Sequence, residues 1–186
     1  STQGVSSAAS DVYKRQWGDW SYGWANEGFP FKNVKEIYST HGAFTAVHTN
    51  GSLTCWGSGW WGNLDVPTSG GFTQIVANEG AFAAIRPDGT VTSWGNAAYS
   101  GTGAPSGNGF VSIVSSNYHF AALREDGSIA TWRDQPAGPS GKGFKAIFAN
   151  GGAFAALKDD GSIVTWGDSG FGGGVTPAGN GFVHIY

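Results

Sequence analysis

Four tryptophans close the same run of residues: Trp56, Trp94, Trp132 and Trp166, spaced 38, 38 and 34 positions apart. Twelve residues before each stands a phenylalanine: Phe44, Phe82, Phe120 and Phe154. Six before each stands the first residue of an Asx-Gly pair: Asn50-Gly51, Asp88-Gly89, Asp126-Gly127 and Asp160-Gly161. Ten residues before each phenylalanine is an apolar residue (Val34, Phe72, Phe110, Phe144), and three places later an isoleucine (Ile37, Ile75, Ile113, Ile147). Self-similarity at a period of roughly 20–50 residues marks a solenoid, a propeller or an array, because one such unit cannot bury its apolar face alone.

The third copy shows what the unit is. Phe110-Val-Ser-Ile-Val-Ser reads as a strand, Asn117-Tyr118 as a turn, His119 to Arg124 as a second strand, and Ile129 to Trp132 as a third. Asp126-Gly127 lies between the last two and predicts a two-residue type I′ hairpin turn, since such a turn needs positive φ. The second strand is apolar on both faces, as in Phe82-Ala-Ala-Ile85, Phe120-Ala-Ala-Leu123 and Phe154-Ala-Ala-Leu157. A half-exposed strand alternates polar and apolar residues, whereas one covered on both faces need not. The alanines leave room for a neighbouring ring, so the small sheets stack face to face. We expect an all-β, β-propeller-like tandem repeat of three-stranded blades, rather than an open solenoid. Composition agrees: 32 glycines and 12 % charged residues, against a usual figure of roughly 25 %, suit short strands and tight turns.

Phe-Ala-Ala-x-x-x-Asp-Gly-x-Val-x-x-Trp-Gly resembles the repeat of the regulator of chromosome condensation family, over residues 31–186. His119 at the head of its strand resembles that family's frequent histidine there. The family's Gly-Gln-Leu-Gly loop is matched only by Trp61-Gly-Asn-Leu64. The short repeat is also similar to the blades of the propeller-type β-lactamase inhibitory protein, and to repeats common in algal and protist proteins. The resemblance implies a propeller and, for the chromosome condensation regulator itself, guanine-nucleotide exchange on a small GTPase. No residue here can be matched to the family's exchange residues.

About five copies are expected, four full and two partial. Trp17-Gly18 ends an earlier third strand, and Phe182-Val-His-Ile-Tyr186 opens a further copy, with Ile185 in its expected place. The chain is then a fragment of a longer propeller or a partial ring covered by a partner; the alternative is a five-bladed ring closed through residues 5–17. Residues 1–16 resemble a translated sequencing-adapter read, which leaves residues 17–186 as the repeat domain and the first sixteen as a non-native or disordered leader.

Chemistry is sparse. Mapped on the repeat, the four histidines occupy different positions: His119 aligns with Ala43, Ala81 and Ala153, and His48 with Arg86, Arg124 and Lys158 outside the turn. We expect no metal, no cofactor and no catalytic set. The aspartates of the Asx-Gly pairs are turn formers, and Cys55, aligned with Ser93, Thr131 and Thr165, reads as a packed strand residue. One cysteine excludes an internal disulfide and leaves lumen, cytoplasm and exterior open. A net charge of −3 gives no long-range pull on nucleic acid. No apolar run approaches the roughly 20 residues of a membrane-spanning helix.

The loops after each repeat tryptophan vary while the strands hold constant. They carry Trp20, Tyr22, Trp24, Trp60, Trp61, Tyr99 and Phe171, and Pro67, Pro105, Pro136, Pro139 and Pro177 stiffen them. Variable loops on a rigid scaffold are where binding resides, and aromatics suit protein hot spots or sugar stacking. Trp60 and Trp61 have a second reading, in which they fold back over the blade edge as packing. The leading expectation is a non-enzymatic interaction scaffold, an accessory subunit held by other protein chains, for example in an algal photosynthetic complex. The alternatives are a carbohydrate-binding propeller, with Asn63 and Asp65 beside Trp60-Trp61, and the GTPase exchange factor.

Overall fold

A computed structural model describes residues 32–133 and 137–185. The expectations for residues 1–16, Trp17-Gly18, Trp20, Tyr22 and Trp24 lie outside them, as do the candidate closing strands at 5–17 and Pro136. Four antiparallel three-stranded sheets follow one another. Blade one holds β1 (Val34–Ser39), β2 (Ala43–His48) and β3 (Leu53–Gly57). Blade two holds β4 (Gln74–Ala77), β5 (Ala81–Ile85) and β6 (Val91–Gly95). Blade three holds β7 (Phe110–Ser115), β8 (Phe120–Arg124) and β9 (Ile129–Thr131), and blade four β10 (Phe144–Ala149), β11 (Ala153–Lys158) and β12 (Ile163–Gly167).

The registers repeat with the sequence. Phe44, Phe82 and Phe154 stand opposite Trp56, Trp94 and Trp166. In all four blades the phenylalanine and tryptophan rings stack at 5.3 Å. The doubly apolar middle strand is explained by what lies on each side. Ala81, Ala83 and Ile85 of β5 pack on Phe120, Ile113 and Trp132 of blade three. The alternate residues Phe82 and Ala84 belong to the cluster that meets Val47 and Leu53 of blade one. Ala121 and Leu123 meet Phe154 and Trp166 of blade four in the same way. Blades two and three thus turn a ring face to the preceding blade and a small-residue face to the next, and all five β5 side chains are buried.

The Asx-Gly turns differ from the type I′ expectation. Gly89 N–H donates to Arg86 C=O, and Arg86 N–H donates to Thr90 C=O. Gly89 has φ +75°, while Asp88 is not among the positive-φ residues. This is the three-residue hairpin loop in which a turn is followed by a left-handed glycine bulge. The other three turns repeat it at Gly51, Gly127 and Gly161. In each, the Asx Oδ1 accepts the N–H and hydroxyl of the Ser or Thr two residues on.

These turns also bind blade to blade. Phe110 N–H donates to Gly89 C=O at 3.0 Å, and Phe144 N–H to Gly127 C=O at 3.1 Å. Phe182 N–H reaches Gly161 C=O at 3.0 Å, so the C-terminal segment opens a further copy with the repeat's own bond. Residues 181–185 are not assigned as a strand, and no described strand pairs with them.

Candidate functional site

Each blade presents two ends. At the hairpin end, cations cap the first-strand rings: Arg86 over Phe72 at 4.9 Å, Arg124 over Phe110 at 4.2 Å and Lys158 over Phe144 at 5.2 Å. Blade one has Val34 instead of a ring, and its His48 turns inward. That residue is buried, contrary to the expected outer position, with Nδ1 2.9 Å from Lys32 O and Nε2 2.7 Å from Thr54 Oγ1. The cations are therefore absorbed by packing.

The loop end carries the aromatics. After blades one, two and four the chain makes a short 3-10 turn: Gly59–Trp61, Ala97–Tyr99 and Ser169–Phe171. The last residue of each lies over a glycine of its own blade. A β-carbon would sit 2.7 Å from Trp61 at Gly42, 2.5 Å from Tyr99 at Gly80 and 2.6 Å from Phe171 at Gly152. The carbonyls of the same three residues are held by Thr40 Oγ1, Asn78 Nδ2 (2.7 Å) and Asn150 Nδ2 (2.9 Å). Blade three reverses the pair. Tyr118 stands where the others have glycine, and Ala137 where they have the ring.

The result is a row of rings across three blades. His41 and Trp61 are 4.6 Å apart, Trp61 and Tyr99 5.8 Å, Tyr99 and Tyr118 5.5 Å, and Tyr118 and His119 6.5 Å. Trp61 and Tyr99 are half-buried in it. Trp60, one residue earlier, points away and is 77 % exposed; its carbonyl accepts from Asn96 Nδ2 at 2.8 Å. Tyr118 is 47 % exposed and Phe171 52 %. Of the two readings of the tryptophan pair, Trp61 folds back as packing and Trp60 does not. The sequence reading missed Tyr118, His41 and His119; the glycine-to-tyrosine change in the third copy was the signal.

A cavity of about 520 Å³ adjoins Phe171, lined by Val76, Val114, Phe148, Asn150, Thr165 and Ile185 among others. Among the described residues no ionisable side chain lines it. Among the described residues no group of three or more His, Cys, Asp or Glu converges to hold a metal. Cys55 Sγ lies 2.9 Å from Thr45 Oγ1, and burial pushes its thiol upward, away from the reactive thiolate. His119 is shifted down by burial and by Arg133. Tyr38 is pushed up to about 12 by burial and by its bond to Glu36.

No protein-family model and no curated protein sequence matches the chain. Solved structures do. The ectodomain of the Arabidopsis thaliana receptor kinase ACR4 is similar at 21 % identity and a TM-score of 0.54, over 72 % of this chain and 49 % of that one. Prp20p from Saccharomyces cerevisiae is similar at 15 % identity and 0.53, over 77 % and 47 %. Yeast RCC1 (Prp20), in its complex with Kap60, gives 16 % and 0.52, over 77 % and 46 %. The fold is an RCC1-like repeat β-propeller. The chain spans about half the length of these structures, and likeness at this identity establishes fold alone.

Proposed function

We propose that this propeller is a non-enzymatic interaction module, an accessory or scaffold subunit that docks other protein chains on its loop end. The observation that carries the reading is the ring row from His41 to Tyr118 with Trp60 projecting beside it. Exposed aromatics on a rigid base are the usual anchors of protein interfaces, because little side-chain entropy is lost on docking. Yeast Prp20p is described by its binding to Gsp1p and histones and by its complex with Kap60, so propellers of this type do bind proteins. A subunit of a photosynthetic assembly is one form the reading takes.

Carbohydrate binding fits less well. A sugar needs a free ring face. Within the row Tyr99 and Tyr118 stack on each other, and Trp61 is half-buried against Tyr99 and Gly42. The test is co-purification from the source organism followed by native mass spectrometry. Wild type is expected in a stoichiometric complex that Trp60→Ala and Tyr118→Ala weaken and Glu125→Gln, at the other end, leaves intact. A wild-type monomer, or a complex indifferent to the two ring substitutions, overturns the reading; glycan-array binding lost in Trp60→Ala replaces it with the lectin.

A further inference from the structure

The four hairpin turns are near-copies, except that blade one has asparagine where the others have aspartate. Asn50-Gly51-Ser52 is also the one Asn-X-Ser/Thr triplet in the chain. We propose that Asn50 is an acceptor site for an N-linked glycan. The triplet is the acceptor motif for this modification, which requires an amide nitrogen and a hydroxyl two residues on.

The turn sets out both groups. Asn50 Oδ1 accepts Ser52 N–H at 3.0 Å and the Ser52 hydroxyl at 2.7 Å. The hydroxyl required by the motif therefore already lies on the amide. Nδ2 donates no hydrogen bond to any described residue and stays available. Asn50 and Ser52 are both exposed at the tip. In the reaction Nδ2 attacks C1 of the first sugar of a lipid-diphosphate-linked oligosaccharide. The C1–O bond breaks, its electron pair leaves with the lipid diphosphate, and Nδ2 releases one proton to a base. Asp88, Asp126 and Asp160 have no amide nitrogen and are excluded, although their Oδ1 atoms make the same bonds at 2.9 and 2.7, 3.0 and 2.6, and 2.8 and 2.7 Å.

The repeat thus shows that asparagine is not needed for the turn. The sugar would project from the hairpin end and leave the ring row at the opposite end uncovered. This inference stands independently of what binds there.

The first test uses the protein isolated from its source, treated with peptide N-glycosidase in heavy-oxygen water. Residue 50 is expected as heavy-oxygen-labelled aspartate. A portion held in the same water without the enzyme corrects for spontaneous deamidation of the Asn-Gly pair, which also takes its oxygen from solvent. Recovery of asparagine, of unlabelled aspartate, or of no more labelled aspartate with the enzyme than without it overturns the proposal. The second test secretes the full chain from a eukaryotic host. Wild type and Ser52→Thr should migrate as a heavier species that collapses on enzyme treatment, and Asn50→Asp and Ser52→Ala should lack it. Asn50→Asp copies the other three turns and so keeps the fold; a heavier species that persists in it, or is missing from wild type, overturns the site.

Discussion

At the hairpin end all four blades close β-strands two and three with the same bonds, a left-handed glycine and an Asx side chain on the next hydroxyl. At the loop end three blades lay a ring over a glycine, and blade three has Tyr118 at the glycine's repeat position and Ala137 at the ring's. The first end is specified by backbone conformation, which leaves one residue type at the glycine. The second is specified by volume, which two positions share. Backbone constraints keep copies identical, whereas a shared volume lets them diverge, and the divergent end is where rings reach solvent.

The sharpest way to break this contrast is to move blade two into the state of blade three. Gly80→Tyr alone places a side chain where Tyr99 already lies, 2.5 Å from a β-carbon. Overpacking of this kind costs about 3 kcal/mol. Adding Tyr99→Ala should return most of that loss, as read from urea unfolding midpoints. A double variant no more stable than Gly80→Tyr would mean that the two positions do not share one volume.

A smaller effect is expected at the hairpin end, and without rescue. Gly127 has φ +76°, and a β-carbon there would lie 2.7 Å from the backbone nitrogen of Gly143. Gly127→Ala should lower stability by about 2 kcal/mol, from the left-handed strain and the displaced neighbour. No side-chain truncation at blade four relieves it, because the contact is backbone. An unchanged unfolding midpoint would remove the distinction between the two ends.

Much of this architecture was legible from spacing. The Trp, Phe and Asx-Gly periods gave the strands, and the alanines beside Phe82 and Phe120 announced sheets covered on both faces. The type I′ expectation fails because Asp-Gly serves both two- and three-residue hairpins. Pro87 before Asp88 was the deciding signal, since proline favours the first central position of a type I turn. The site was partly legible. Every packed ring stands five residues after the blade tryptophan (Trp61, Tyr99, Phe171), which separates Trp61 from the exposed Trp60 by register alone. What register does not give is the row itself, because Tyr99 meets Tyr118 only through the stacking of blades two and three.

Blade three differs at one more position, and there the effect is the smallest and depends on pH. His119 occupies the place of Ala43, Ala81 and Ala153, with its Nδ1 buried and unpartnered among the described residues. Burial, then Arg133, lowers its folded pKa below the ordinary value of about 6.5. As pH falls, the unfolded chain takes up the proton first, so folding weakens. The stability is complete above the ordinary histidine pKa and declines below it, until the folded group protonates too. His119→Ala, which restores the residue of the other blades, should flatten this segment of the curve. Thermal unfolding from about pH 7.5 to pH 5.5 measures it. If wild type and His119→Ala lose the same melting temperature over that interval, the histidine is not the group that couples blade three to protons. The hairpin carboxylates do not enter this interval: Asp126, held down first by its bond to Lys142, contributes a decline only at more acidic pH.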